Sequence, residues 1–546
     1  MKRVFSGVAP ALGVFSLALV FLATGFHITA TRTALGARTI LRLPMQGEIP
    51  TLDPGLAEDS SSIEVIEQLF LGLTDFNDDT SEVVPELATG WKVSADGRVY
   101  TFTLRRAKWS DGRPVTAGDI EYAARRNIDP ATASPYAFMM YGIRNAEAIN
   151  KGKLKQVSLL GVKALNRRTI RFTLINPASY FPAVAGLWVL RPLPRRAIEA
   201  HGLKWTEPAN MVVNGPYRLA SWRRGDKLVL RRNPAFYGAA GVRIAEVHYL
   251  IVPESSTGLA MYENGEVDMM GGGYLPIPLP DLPRVRKDPV LGKQYTVRPS
   301  LCTYYYGFNT LRPPMNNPLV RRAFSAAIDR QLLIDRVLRG GQEVATTFTR
   351  PPTFGSVPAG SGVGIGYDGA QARKWLAQAG YPGGKGFPEV VLMYNTSESH
   401  SKLAQVVQQM WRRELNVRVR VENQEWKVFL ITTKRKDGPH IFRMGWCADY
   451  PDANNWLMEV FHPTKSSNRV HWNNAEFAQL TEKAQVVRDP AGRKRLYRRA
   501  EQILTGEQAV IAPVYFSTSI VLTKPYLKNK VAPLGGNHIR DWYFTD

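Results

Sequence analysis

An α/β architecture divided into lobes is expected for this chain, on three observations. Short β-rich runs alternate with amphipathic helices along the whole length. No internal repeat or low-complexity tract interrupts them, and 546 residues suffice for two to four domains. Hydrophobic residues make up 44% and charged residues 21%, the balance of a soluble globular protein. That balance excludes wholesale disorder, a collagen-like chain and a polytopic membrane protein.

In chain order, the N-terminus comes first. Lys2 and Arg3 precede an apolar run from Val8 to Phe26, and no acid occurs before Glu48. This is the pattern of a secretory signal peptide, assigned to residues 1–36 with Ala34-Leu35-Gly36 as the cleavage site and Ala30 as a second choice. The apolar run approaches the ~17–25 residues of a membrane span, so an uncleaved anchor is the alternative; Pro10 and Gly13 shorten its strongest part. No Cys follows it, which argues against a lipid anchor. Cleavage takes three cations, Lys2, Arg3 and Arg32, and lowers the formal charge from +23 to +20. An exported chain with scattered basic pairs, no zinc-finger spacing and no continuous basic helix is not expected to bind nucleic acid. Its charge is read as solvated surface, or as attraction to anionic membrane or acidic ligands.

Val99–Leu104, Thr169–Leu174 and Lys227–Leu230 alternate as strands do. Thr116 is placed to cap a helix through Ala123 and Ala124. Further helices are predicted over 317–339, ended by Gly340-Gly341, and over 368–379, capped by Asp368. Residues 402–415 form another, followed by the alternating strand Val417–Val421, and 475–487 and 492–506 form a helical pair. There is no HExxH, GxSxG or Walker A sequence. Gly364-Ile365-Gly366-Tyr367-Asp368-Gly369 matches G-x-G-x-x-G, but a Pro- and Gly-rich segment precedes it instead of a strand, so it reads as a loop. The His residues do not cluster, so neither metal nor cofactor is expected, and nothing argues for an enzyme.

Thr51-Leu52-Asp53-Pro54, Pro85-Glu86-Leu87-Ala88 and Ala107-Lys108-Trp109-Ser110-Asp111-Gly112 through Asp119 resemble the extracytoplasmic peptide-binding proteins of ABC importers, the family 5 solute-binding proteins. Leu301–Tyr306, Tyr394–His400, Asn423–Lys427 and Gly445-Trp446-Cys447-Ala448-Asp449-Tyr450 narrow the resemblance to the oligopeptide-binding branch. It covers the chain from about Leu43 onward. It implies a two-lobed clamp of three structural domains that closes over an extended peptide: a discontinuous domain of 38–71, 198–301 and 517–546, an insert of 72–197, and a second lobe of 302–516. Hinge closure is an established switching mode.

The same resemblance assigns the ligand residues. Every peptide offers a backbone, an ammonium and a carboxylate, and the backbone can be held as an added strand. Asp449 matches the family's amine-binding aspartate; its alternative is a turn cap before Tyr450-Pro451-Asp452. Arg443 and His400 match positions that meet the peptide carboxylate, for which a guanidinium fork is suited. Lys434 and Arg435 lie near another such position in uncertain register. Glu58 matches a position at the mouth, facing cationic side chains. Trp446, Trp426, Tyr136 and Tyr305 match aromatic walls, although core packing would account for them equally. Asn395, Gly445 and Cys447 complete the expected set. Cys302 and Cys447, the two cysteines of the chain, match a family disulfide. One departure stands out: Gly271-Gly272-Gly273 replaces the tyrosine and asparagines usual after Val267-Asp268-Met269. The positive charge adds a second expectation, that acidic peptides, including cell-wall peptides, are favoured.

The expected function is therefore a monomeric periplasmic receptor that delivers oligopeptides to a permease powered by cytoplasmic ATPases. Three alternatives are kept: the same fold binding another solute (cell-wall peptide, opine, peptide antibiotic, oligosaccharide), a secreted hydrolase, and an envelope scaffold or chaperone.

Overall fold

A computed structural model describes residues 38–487 and 489–545. The expected signal peptide and its cleavage site lie outside the described residues. Three sheets organise the chain. In the first, Ile40–Met45 pairs in parallel with Glu246–Ile251, which is followed in order by Lys227–Arg232 and Tyr217–Arg223. After Met45 the chain leaves this sheet and returns to it at Tyr217. The residues between build the second sheet, an antiparallel four-stranded unit ordered Ala88–Val93, Val99–Leu104, Thr169–Thr173, Val162–Asn166. The alternation in Val99–Leu104 does what it should, placing Tyr100, Phe102 and Leu104 inside. Helix Ala117–Ile128 covers this sheet; its Thr116–Asp119 capping box satisfies the first turn.

The third sheet is mixed and seven-stranded. Its main path runs Met269–Gly271, Ile511–Thr523, Tyr295–Phe308, Ile441–Cys447, Val390–Asn395, Val419–Gln424. Tyr295–Phe308 and Ile511–Thr523 are long and pair antiparallel, with register shifts between Pro299 and Thr303 and between Tyr304 and Tyr305. The Leu41–Tyr249 core and the cores beneath the third sheet are separate clusters, and Tyr450 and Trp446 pack at their border. The result is the two-lobed α/β clamp.

Two predicted helices differ in detail. Residues 317–339 do not form one helix. Pro318–Ala326 ends, and Asp329 caps a new start by accepting from the Leu332 amide at 3.0 Å. The buried Arg330 guanidinium donates to the carbonyls of Ser325, Ile328 and Pro513, taking up acceptors the interrupted helix would have used. The final turn, Leu333–Leu338, is a π-turn closed by Arg339 at φ 52°, one residue before the glycines. The second predicted member of the pair at 492–506 starts at Pro490 and gives way to another π-turn at Gln502–Glu507. The G-x-G-x-x-G segment is a loop whose Asp368 caps Gly369–Gln378, accepting from the Gln371 amide at 2.8 Å.

Candidate functional site

A cavity of about 580 Å³ lies between helix Ser60–Leu69, strand Thr74–Phe76 and the segments around Tyr136 and Trp188 on one side and the third sheet on the other. Bonds cross the cleft around it. Glu58 accepts from Lys434 at 2.6 Å and from Arg469 at 2.9 Å. Trp426 donates its indole N–H to Asp59 at 3.2 Å, and Tyr180 stacks on Tyr450 at 5.3 Å.

Asp449 is an anionic element of the lining. Strand Ile441–Cys447 delivers Asp449 just past its end, half-buried in the cavity wall. It does not serve as the turn cap; Asp452 caps the next helix, Ala453–Phe461. The Asp449 carboxylate accepts from the Tyr136 hydroxyl at 3.2 Å and the Asn455 amide at 2.8 Å. Burial outweighs these two bonds and lifts its pKa to about 7. Two neutral donors therefore leave a carboxyl that gains strongly from a cation brought to it.

Arg443 is a cationic element of the lining. Arg443, on the same strand, lines the cavity, donates to Asn395 at 3.0 Å and lies 5.1 Å over the Tyr304 ring, which stacks on Tyr515. His400 sits in the first turn of Glu398–Leu415 and faces the cavity beside Tyr304. Burial and, secondarily, Arg443 hold its pKa well below the usual imidazole range. At neutral pH it is an uncharged hydrogen-bonding group, so the charge for a carboxylate comes from Arg443.

Of the residues expected around a ligand, Asp449, Arg443, His400, Glu58, Gly445, Trp446, Cys447, Trp426, Tyr136 and Tyr305 line the cavity. Tyr136 and Trp446 form parallel walls with centroids 6.4 Å apart. Tyr305 is 2% exposed and wedged against Phe348 and Phe461, so packing claims most of it. Asn395 is not among the lining residues; it accepts a hydrogen bond from Arg443. Glu58 lines the cavity and pairs with Lys434 and Arg469 across the cleft. Arg435 is exposed and paired with Asp437, and neither Lys434 nor Arg435 lines the cavity.

Cys302 and Cys447 form a disulfide as directly opposed residues of adjacent antiparallel strands. All three glycines of Gly271–Gly273 line the cavity with positive φ. At Gly271 a side chain would strike the Ile520 carbonyl at 1.8 Å; at Gly273 the nearest atom would be 3.8 Å away. That wall is not an extension of the surface charge. Glu67 pairs with Arg191, Asp75 with His538 and Arg540, and Asp78 with His538. Glu64 is pushed by burial up to about 8. The acids of that wall are thus largely met by cations of the chain itself.

Sequence reasoning missed Arg469, Asp59 and Asn455. Arg469 lies in a loop without pattern. Asp59 shows only as a helix cap. Asn455 follows Asp449 by six residues, a proximity that acquires meaning only once Asp452 starts a helix between them.

A two-lobed clamp closed over a cavity lined by the carboxyl of Asp449 and the guanidinium of Arg443 defines a solute-binding protein. The chain belongs to the bacterial extracellular solute-binding proteins, family 5, whose model matches residues 82–468. It is 36% identical over 506 residues to the periplasmic oligopeptide-binding protein OppA of Escherichia coli, covering 91% of each chain. Among solved structures it superposes on the murein tripeptide-binding protein MppA of E. coli with TM-score 0.87 at 34% identity, covering 93% of this chain and 99% of that one. Against the unliganded open form of MppA the TM-score is 0.64, with 93% and 97% covered. Haemophilus influenzae OppA in complex with the peptide RPPGFSPFR matches with TM-score 0.86 at 30% identity, covering 93% and 99%. Among the described residues no helix is long and apolar enough to cross a membrane.

Proposed function

We propose that the protein is the periplasmic receptor of an ABC importer, binding oligopeptides between its lobes and presenting them to membrane permease subunits as a monomer, without chemistry of its own. The observation that carries this reading is that Asp449 and Arg443, borne by one strand and its extension, both line one aromatic-walled cavity. Asp449 takes the peptide ammonium, and Arg443, with neutral His400 as a hydrogen-bonding partner, takes the carboxylate. Trp446, Tyr136 and Trp426 wall the space between, where varied side chains can be accepted with water as filler. Relatives described as peptide-binding, one of them solved with a peptide, support the ligand class. The assigned signal peptide supports export.

The lobes are proposed to divide as the family does, with 38–71, 198–301 and 517–546 forming one domain, 72–197 its insert and 302–516 the opposite lobe. The long strands Tyr295–Phe308 and Ile511–Thr523 cross both boundaries, and their register shifts offer a place to bend.

Short peptides added to the purified protein are expected to raise its melting temperature with concentration, as linkage requires. They are expected to be recovered intact, and amidation of the C-terminus is expected to weaken them. No saturable stabilisation by any peptide of two to six residues would remove the reading; cleaved peptide would favour the hydrolase.

The pH dependence has a definite sign. Pairing with the ammonium requires ionised Asp449, whose pKa in the free protein is about 7. Affinity for free-amine peptides is therefore expected to fall as pH drops below about 7. It falls again on the alkaline side, once the α-amino group, with pKa near 7.7–8.0, loses its proton. N-acetylated peptides should show neither limb in calorimetric titrations across pH 5.5–9.

A further inference from the structure

The Asn455 side chain is fully buried and does not line the cavity. Its amide makes four bonds. The oxygen accepts from the Asp449 backbone N–H at 2.9 Å and from the Trp446 indole N–H at 3.2 Å. The nitrogen donates to Asp449 at 2.8 Å and to Glu459, one helical turn on, at 2.8 Å. Both donors to the oxygen are obligate, so the amide has one workable orientation, with its NH₂ toward the two carboxyl groups. Every hydrogen-bonding capacity of the side chain is used.

We propose that Asn455 is a positioning residue for the ammonium grip: it fixes the aim of the Asp449 carboxylate, the backbone that carries it and the Trp446 wall as a single unit. This rests on the reading that Asp449 takes the peptide ammonium. An amide is the group the place requires. A carboxylate of the same shape would turn an oxygen toward two carboxyl groups, and a hydroxyl cannot span all four partners. The other titratable neighbours are Tyr136, which bonds Asp449 directly; Glu459, which is bonded by Tyr450 and Asn454 as well; Asp452 on the same helix; and Glu58, which acts on the same Tyr136 hydroxyl. Of these, Glu459 alone is joined to Asp449 through Asn455.

The test uses the full chain, the tightest-binding oligo-alanine of two to six residues, and its N-acetylated form. Asn455→Asp is expected to weaken the free-amine peptide at least 30-fold at pH 7.5 and the acetylated form less than threefold. It is also expected to move the acid-side midpoint of the binding pH profile up by at least one unit, a shift that a merely structural role would not produce. Asn455→Ser, uncharged and smaller, is expected to lose at least fivefold on the free-amine peptide and less than twofold on the acetylated one. If the aspartate variant does not fold, the serine variant decides. Equal losses on the two peptides, or an unmoved midpoint in a folded Asn455→Asp protein, overturn the proposal. Wild-type protein that binds both peptides equally overturns the Asp449 assignment, and the proposal falls with it; discrimination in wild type with equal losses in the variants condemns Asn455 alone.

Discussion

Asp449→Asn is expected to weaken free-amine oligopeptides about 100-fold or more, while N-acetylated peptides change less than threefold. The replacement keeps the shape of the side chain and an oxygen for Tyr136 and Asn455, so the loss isolates the charge. Breaking a buried ion pair by removing one partner costs ~3–5 kcal/mol, because the remaining charge is left desolvated, and every 1.4 kcal/mol is tenfold in affinity. The cost is large here because Asp449 has two neutral hydrogen-bond partners within its site. Titration calorimetry with matched free and acetylated peptides measures the ratio; equal loss for both would contradict the assigned role.

Removing the disulfide, as the double variant Cys302→Ser with Cys447→Ser, is expected to be the largest stability change. The bridge closes a loop of 145 residues and constrains the unfolded chain, which loop-entropy models value at ~4–5 kcal/mol. With unfolding entropy of ~2.1 cal/mol/K per residue over a chain this long, that is about 4 °C in the melting midpoint. A reductant should lower the wild-type midpoint by a similar amount and leave the variant unmoved. A wild-type midpoint indifferent to reduction would dismiss the bridge as a source of stability. Peptide affinity should fall as well, since Cys447 sits between Trp446 and the Asp449 segment, and the strand opposite is then free to shift its register.

Local pattern carried much of the fold into view. Val99–Leu104 declared itself because one face is buried and the other wet, and Asp368 declared itself because a helix needs a cap wherever the chain enters it. The helix expected over 317–339 failed for a reason that no periodicity reveals. Its apolar spacing continues past Ala326, but Arg330 finds carbonyl acceptors as distant in sequence as Pro513, and these reward a break. The site divides the same way. Asp449, Arg443 and His400 could be assigned from sequence segments that resemble a family. That His400 is neutral could not, because its ionisation depends on burial beneath a fold not yet formed. The pairing of Glu58 was hidden because its partners Lys434 and Arg469 lie some 400 residues away. Asn455 was invisible because an asparagine becomes informative only through the company it keeps in space.

The stack of Tyr180 on Tyr450, neither of which lines the cavity, has a consequence for how such a receptor ranks its cargo. It forms between the two halves of the protein and involves no part of a guest, so whatever it contributes to shutting is the same for every guest. A ligand shifts a two-state equilibrium only by its unequal affinity for the two states. The intrinsic bias set by this stack acts as a common multiplier on all the dissociation constants, whereas the order of preference among peptides is written elsewhere, in the lining. Evolution can therefore tune how tightly the receptor holds everything without changing what it prefers.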